Sequence, residues 1–154
     1  VSATGLTLCP MGNIPFAVDG EAVDFSSTWT YKGIMYSDLP NLAWTFGYIR
    51  TSWTMRSDLI ADFVCRLLKA MDEKGAASVT PRLRTEDHNM QPKMFIDEDD
   101  FSPGYMRRTM DLMPKQGDHE PWTNCQDYYV ECKTIPGCEL DDGVLIYESH
   151  GQDR

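Results

Sequence analysis

Three hydroxyl side chains, those of Thr51, Ser52 and Thr54, stand at the start of the strongest helical pattern in the chain. Each is a residue type that caps helix N-termini. The first turn of a helix leaves backbone N–H groups unpaired and carries a partial positive charge, so it can hold an anion or the electron-rich edge of a cofactor. The simpler interpretation is an ordinary core strand, loop and helix, and local features alone favour that interpretation.

The histidines and cysteines indicate no reaction by themselves. His88, His119 and His150 lie far apart in loop-like segments, which predicts surface residues rather than a triad or a metal cluster. The five cysteines are an odd number at irregular spacing without a CxxC pair, which argues against zinc. Reduced thiols in an intracellular, cytoplasmic compartment fit this usage. Cys65 falls within the apolar pattern of the long helix, where a buried thiol is expected.

The sequence has no recognisable phosphate loop or calcium loop. It contains neither GxGxxG nor a P-loop pattern, and it contains no GxSxG elbow. The acidic run Asp97-Glu98-Asp99-Asp100 lacks the glycine and the alternating oxygen ligands of a calcium loop. This run therefore predicts a solvated face, and a metal site is the minority interpretation.

A strand, a glycine and a helix must position the hydroxyl cluster. Residues 42–46 are an apolar run long enough for one buried strand, and Gly47 ends it. Gly75 is expected to end the helix in the left-handed conformation, and Asp62 stands four residues before Arg66, the favourable order for a surface ion pair. The helix carries one wide apolar stripe at helical spacing, made by Leu59, Ile60, Phe63, Val64, Leu67, Leu68 and Met71.

The rest of the chain predicts short elements of both kinds and hence a mixed α/β fold. Asp19-Gly20 between two alternating apolar runs predicts a β-hairpin. Residues 76–100 carry little periodicity and predict an extended segment that wraps over a surface. Further helices are predicted over residues 105–113 and 125–134, and a last short strand over residues 144–147.

Length and charge exclude two classes of partner. The 154 residues carry a formal charge of −10, which argues against nucleic acid and against an anionic membrane surface. No apolar run approaches membrane-spanning length. The length suits one domain, but residues 1–6 have the pattern of the end of a buried strand, so the chain is expected to be a piece of a longer protein.

Several short motifs follow one another in order along nearly the whole chain. They are Ala3-Thr4-Gly5; Tyr31-Lys32-Gly33-Ile34-Met35 with Leu39-Pro40-Asn41-Leu42; Gly47-Tyr48 with Ser52-Trp53-Thr54 and Asp58; Phe101-Ser102-Pro103-Gly104-Tyr105; Leu112-Met113-Pro114-Lys115-Gln116-Gly117 with Pro121-Trp122; and Asp141-Asp142-Gly143-Val144-Leu145. In this order they resemble the C-terminal part of the class B flavin monooxygenases. The branch that they resemble most is the Baeyer–Villiger type that also oxidises sulfur, which includes bacterial thioamide-prodrug activators.

The resemblance implies the C-terminal portion of a flavoprotein with two dinucleotide-binding domains. Residues 1–75 would complete the FAD-binding domain, and residues 76–154 would form an extended C-terminal wrap with short helices. The cofactors would be FAD and NADPH, and the partners a small-molecule substrate and O2. In such enzymes oxygen adds to the reduced flavin at C4a, and one oxygen atom then passes into a ketone or onto sulfur or nitrogen. The alternative is a truncated, non-catalytic homologue that acts as a binding module, and an isolated piece is expected to self-associate into a homo-oligomer.

The resemblance also implies particular site residues. No catalytic residue and no metal ligand is expected in this stretch, because the groups that hold the FAD phosphates and NADPH lie upstream in the family, and so does its supporting arginine. The chain alone is therefore expected to be inactive. Residues 76–122 are expected to form either a mobile cover over the substrate cleft or a static wrap. FAD contacts are expected from Thr4, Gly5, Gly47, Ser52, Trp53, Thr54 and Met55, and substrate contacts from Tyr48, Trp53 and Met55.

Overall fold

The computed structural model describes residue 5, residues 7–97 and residues 103–149. Within these ranges the chain has three α-helices, α1 (Trp53–Lys74), α2 (Gly104–Arg107) and α3 (Tyr128–Thr134). Six short strands form three antiparallel pairs, β1 (Ala17–Val18) with β2 (Glu21–Ala22), β3 (Thr30–Tyr31) with β4 (Met35–Tyr36), and β5 (Ser78–Pro81) with β6 (Leu145–Glu148). The predicted mixed α/β class is confirmed at this coarse level.

Some predictions fall on positions outside the described residues. These are the strand at residues 1–6 apart from Gly5 itself, the contact from Thr4, most of the acidic run, and His150. In the described ranges, no group of three or more His, Cys, Asp or Glu side chains is placed to hold a metal ion. None of the described helices is both long and apolar enough to cross a membrane.

Helix α1 ends where the sequence predicts. Gly75 adopts the left-handed conformation with φ of 61°. Its N–H group bonds the carbonyl of Asp72 at 3.1 Å, and the next N–H group, that of Ala76, bonds the carbonyl of Met71 at 2.9 Å. These bonds satisfy carbonyls that the end of a helix would otherwise leave unpaired. The predicted Asp62–Arg66 pair also forms, at 3.2 Å.

The core face of α1 is narrower than the predicted stripe. Ile60, Phe63 and Leu67 are buried, whereas Leu68 is 55% exposed. Cys65, predicted to be a core thiol, is exposed. The reason is geometric, because each residue turns the helix by about 100° and Cys65 therefore lies about 200° from Phe63. The apolar stripe in the sequence is therefore wider than the face of α1 that is buried in the core.

Residues 42–46 do not form the predicted buried strand. Their strand-like contact is an isolated antiparallel bridge between Ala43 and Met35. Leu42 and Trp44 are half-buried, Phe46 is buried, and the residues between them are exposed. This alternation is that of a segment lying on a surface, with one face inward and one face in water. A short apolar run cannot by itself distinguish the two cases.

The predicted hairpin is confirmed. β1 and β2 pair through Val18 and Glu21, and the two residues between them both have positive φ, 52° at Asp19 and 87° at Gly20. Positive φ at both central positions is the geometry of the tight turn that matches the twist of two strands. The strand predicted near residue 145 is also confirmed as β6, but its partner β5 was missed.

The two smaller helices are shorter than predicted. The segment 105–113 splits into α2 and a 3₁₀ turn over Met110–Leu112. α3 begins three residues later than predicted because Asp127 is its N-cap and accepts hydrogen bonds from the backbone N–H groups of Tyr129 and Val130. An aspartate whose carboxylate takes these N–H groups stops the helix from extending backwards.

The core is shared between the two predicted segments of the chain. One cluster joins Tyr31 and Phe63 to Trp122 and Val144, and a second joins Tyr36 and Phe46 to Phe95. Phe95 and Trp122 are fully buried, so residues 76–122 contribute to the core as well as covering it. The division at residue 75 stays a prediction.

Candidate functional site

The start of α1 has a bare N-terminus, since it lacks a side-chain cap. Ser52 occupies the N-cap position, but its hydroxyl makes no capping bond and instead lies 2.8 Å from the hydroxyl of Thr54. The first turn of α1, which the structure describes in full, has no acidic residue. The partial positive charge of the helix end is therefore not neutralised from within the helix. Backbone N–H groups and two hydroxyls are the donors available here.

Trp53 covers Gly47. A Cβ atom at Gly47 would collide with the indole ring of Trp53, and the ring also packs on Phe46 with centroids 5.1 Å apart. Trp53 is nevertheless 48% exposed. The glycine is thus required by a close approach of this ring, and the ring presents an apolar surface beside the helix start.

Tyr48, next to Gly47 in the chain, is buried in the interior. It is 2% exposed, and its hydroxyl donates a hydrogen bond to Glu131 at 2.5 Å. Burial, together with this hydrogen bond to a carboxylate, raises the pKa of the Tyr48 hydroxyl above its ordinary range. The predicted contact of Tyr48 with substrate stays a prediction. In the described chain the side chain is buried and contacts Glu131.

A buried ion pair at the base of the helix start was missed by the sequence reasoning. Arg56 is fully buried, and its Nη2 atom lies 2.8 Å from Oε1 of Glu131, which is also buried. The guanidinium also donates to the carbonyl of Phe46 at 3.1 Å and lies over the Tyr48 ring at 5.5 Å. A signal existed, because Arg56 precedes Ile60 by four residues, and Phe63 by seven, on the core face of α1.

Gly33 makes room for this pair. It has φ of 66°, and a Cβ atom there would collide with Nη2 of Arg56 and with the side chain of Asn124. The neighbouring carbonyl of Lys32 lies 3.4 Å from the same Nη2 atom. A positive φ and a close approach each favour glycine.

The segment that leads into α3 holds the loop before α1. The backbone N–H of Ile49 donates to Oε1 of Gln126 at 3.0 Å, and the rings of Tyr48 and Tyr128 meet edge to face at 6.1 Å. Together with the Glu131 bonds, these contacts attach the loop to the C-terminal half of the chain.

A cleft of about 420 Å³ opens beside the start of α1. Of the three residues predicted to face substrate, Met55 lies in its wall, and the aromatic residues opposite are Tyr128 and Tyr129. The full lining is Arg50, Thr51, Met55, Gln126, Asp127, Tyr128 and Tyr129. The structure thus brings Gly47, Ser52, Trp53, Thr54 and Met55 to one corner of the molecule, whereas Gly5 is exposed and belongs to no core cluster.

A second polar cluster lies elsewhere. His119 was predicted to be a surface residue and is partly exposed, yet its ring nitrogens meet Asp118 at 2.8 Å and the buried Asp87 at 3.1 Å. Hydrogen bonds to these two carboxylates raise the pKa of His119. Burial alone would raise the pKa of Asp87, but its hydrogen bonds from Arg84 and the others outweigh burial and hold that pKa well below its usual range. With both nitrogens engaged, His119 has no free lone pair to act as a base.

Comparison with known proteins places the chain in a family. It is 39% identical over 150 residues to the FAD-containing monooxygenase EthA of Mycolicibacterium smegmatis, covering 97% of this chain and 30% of that protein. It is 39% identical over 150 residues to the probable FAD-binding monooxygenase AlmA of Acinetobacter baylyi, covering 96% and 29%. It is 37% identical over 154 residues to the putative FAD-containing monooxygenase MymA of Mycobacterium tuberculosis, covering 100% and 30%.

The chain therefore spans about 30% of the length of these relatives. No family profile and no solved structure matches it. Identity at this level along nearly the whole chain agrees with the motifs quoted from the sequence, and the resemblance to flavin monooxygenases is confirmed. The chain belongs to the FAD-containing monooxygenases, of which it represents one part.

Proposed function

We propose that the chain is the C-terminal part of an FAD- and NADPH-dependent monooxygenase and that the start of α1 meets the flavin. The observation that carries this proposal is that α1 of this chain has no side-chain cap at its N-terminus. The chain belongs to a family whose members contain FAD. The donors at this N-terminus, backbone N–H groups with the hydroxyls of Ser52 and Thr54, suit the electron-rich pyrimidine edge of a flavin. The donor set therefore fits the cofactor.

FAD, once reduced by NADPH, would activate O2 and supply one oxygen atom to a ketone, or to sulfur or nitrogen, while the other leaves as water. The residues of this chain would bind and orient. The first turn of α1, from Trp53 to Met55, would stabilise negative charge on the reduced flavin. Gly47 would let the Trp53 ring lie close to the loop, and Gly5 with Thr4 would belong to the link between the nucleotide-binding domains.

The substrate would be a small molecule that enters from the cleft beside α1. Met55 and the two tyrosines of α3 offer an apolar and aromatic wall, and the exposed face of Trp53 continues it. This wall would hold the apolar part of a substrate, and the polar residues of the same cleft, among them Thr51 and Gln126, would orient it by hydrogen bonds. Tyr48 would support this wall from beneath through its bond to Glu131.

The packing of residues 76–97 and 103–122 supports a static wrap rather than a mobile cover. Phe95 and Trp122 are fully buried in the two core clusters, and Lys93 bridges to Gln116 through two backbone hydrogen bonds of 2.8 and 3.0 Å. Segments that open readily have few buried apolar contacts. This segment has many.

The chain by itself is expected to bind FAD weakly and to be inactive, because one helix end cannot replace the phosphate and adenine contacts of a whole cofactor site. The test uses a protein that includes the upstream FAD-binding part. Thr54→Trp should lower the flavin-to-protein ratio in that protein, since a bulky ring would occupy the helix start. Ala61→Trp, on the exposed outer face of α1, is the matched control. An unchanged flavin ratio in the Thr54 variant would remove α1 from the flavin site.

A further inference from the structure

The Arg56–Glu131 pair is buried, and Glu131 lies at the wall of a small pocket that Lys32 and Glu120 also line. The two side chains are 0% and 4% exposed, and their charged atoms are 2.8 Å apart. Each Glu131 oxygen accepts a hydrogen bond, Oε1 from Arg56 and Oε2 from Tyr48. Each carboxyl oxygen therefore has a donor beside it, and the adjacent guanidinium favours the charged form of the carboxyl group. Burial raises the pKa of Glu131, and attraction to Arg56 opposes that rise.

Two other charged side chains beside Glu131, Lys32 and Glu120, form an ion pair of their own at the surface. Their charged atoms are 2.9 Å apart, with Glu120 62% exposed. Titratable groups near the pair include the hydroxyl of Tyr48 and the thiol of Cys125 beside Glu131, and the buried hydroxyl of Tyr36 near Arg56. Burial raises the pKa of the Cys125 thiol and of the Tyr36 hydroxyl. Glu131 is therefore the charge that offsets Arg56 inside the protein.

The pair lies directly under the start of α1. Arg56 is the fourth residue of the helix, about 4.5 Å along the axis from Trp53. Its guanidinium is bonded to the carbonyl of Phe46, the residue before Gly47. An unpaired arginine in this place would add a full positive charge to the partial charge of the helix end, because arginine keeps its charge when buried.

We propose that Glu131 neutralises Arg56 beneath the flavin seat and so sets the reduction potential of the bound flavin, an inference that rests on the proposed function. Glu131 is a positioning residue that acts through Arg56 and touches neither flavin nor substrate. With the pair intact, the helix end alone stabilises negative charge on the reduced flavin. Removing the carboxylate charge would expose the flavin to the field of the arginine.

The size of the effect follows from Coulomb's law. At an effective dielectric constant of about 20, one unit charge acting over about 10 Å changes the relative stability of an anionic ligand by roughly tenfold. A tenfold preference for the reduced flavin corresponds to about 30 mV for a two-electron couple. A shift of this size is measurable by dye-linked equilibrium titration.

The experiment measures the flavin potential in the flavin-loaded protein that includes the upstream FAD-binding part. Glu131→Gln keeps the size of the side chain and one acceptor oxygen but removes its charge, and it should make reduced flavin about tenfold more stable relative to oxidised flavin. Glu131→Asp keeps the charge and should restore the wild-type potential. Glu120→Gln is the matched control, since it removes an exposed acid, and it should leave the potential unchanged.

Arg56→Met supplies a test of sign. It leaves the Glu131 carboxyl without its partner, so reduced flavin should become progressively less stable than in wild type as the pH rises and that carboxyl ionises. Opposite shifts in the Glu131→Gln and Arg56→Met variants support the proposal. Shifts of the same sign, or none, overturn it, because mere distortion of the site has no reason to follow charge.

The outcomes separate this inference from the proposed function. If Glu131→Gln does not fold, the Arg56→Met variant decides alone, and a flavin potential that matches wild type at every pH overturns the inference. If the wild-type protein binds no flavin, the proposed function fails. If it binds flavin and the potentials do not move, only the role of Glu131 fails.

Discussion

Breaking the Arg56–Glu131 pair should cost stability asymmetrically. Replacing Glu131 with Leu leaves a buried arginine that cannot discharge, so its charge stays uncompensated. Replacing Arg56 with Met leaves a carboxyl group that can bind a proton, and burial already raises its pKa. We therefore expect Glu131→Leu to be the more damaging change at neutral pH.

The magnitudes follow from burial and hydrogen bonds. Removing one partner of a buried pair costs about 3–5 kcal/mol of unfolding free energy. Glu131→Leu also removes the acceptor of the Tyr48 hydroxyl, which adds about 1 kcal/mol. Replacing both partners with apolar residues of similar volume is often neutral, so the double variant should unfold within about 2 kcal/mol of wild type after losing the bonds to Tyr48 and Phe46.

Urea unfolding at pH 7 of the wild type, both single variants and the double variant completes a double-mutant cycle. The cycle should show a coupling energy of at least about 3 kcal/mol, with the double variant more stable than Glu131→Leu. Additive losses, in which the double variant is the least stable of the four, would refute the view that the two charges sustain each other. A Glu120→Leu variant, whose ion pair is mostly exposed, should lose less than about 1 kcal/mol.

Two further predictions concern other contacts. Gly47→Ala should displace the Trp53 ring and lower the free energy of unfolding by about 1–3 kcal/mol through overpacking. Tryptophan emission should shift, and adding Trp53→Leu should recover most of the lost stability. Equal stability of Gly47→Ala and wild type would contradict the contact. For His119 the folded pKa is raised, so its stabilising contribution is fully present below its ordinary pKa of about 6.5 and is lost as the pH rises through the folded value. The difference in urea midpoint between wild type and His119→Gln should therefore be larger at pH 5.5 than at pH 8.5, and a difference that does not shrink would rule out the charged bridge to Asp87 and Asp118.

Local chemistry was enough to predict several elements. The end of α1 at Gly75 follows from a glycine after an apolar helical pattern, and the turn at Asp19-Gly20 follows from two residues that tolerate positive φ. The Asp62–Arg66 pair follows from helical spacing alone. These features depend on residues within one or two turns of each other, so the sequence contains all the information that they need.

The family and the hydroxyl-rich start of α1 were also readable in the sequence, because ordered motifs persist along the chain and are matched by relatives that are 37% to 39% identical. What the sequence could not show was which apolar residues find partners. Cys65 is exposed although it lies inside an apolar run, because it lies on the opposite side of α1 from the buried Phe63. Residues 42–46 likewise bury only one face, with Phe46 in the core and Ala43 and Thr45 exposed.

Tertiary structure alone decided the composition of the site. Arg56 and Glu131 are 75 residues apart, and no local pattern indicates that a buried arginine will meet a glutamate on another helix. Likewise β5 pairs with β6 across 64 to 70 residues. Such contacts form when the apolar faces of separate elements come together and enclose whichever polar groups lie between them, and those groups must then satisfy one another because water can no longer do so.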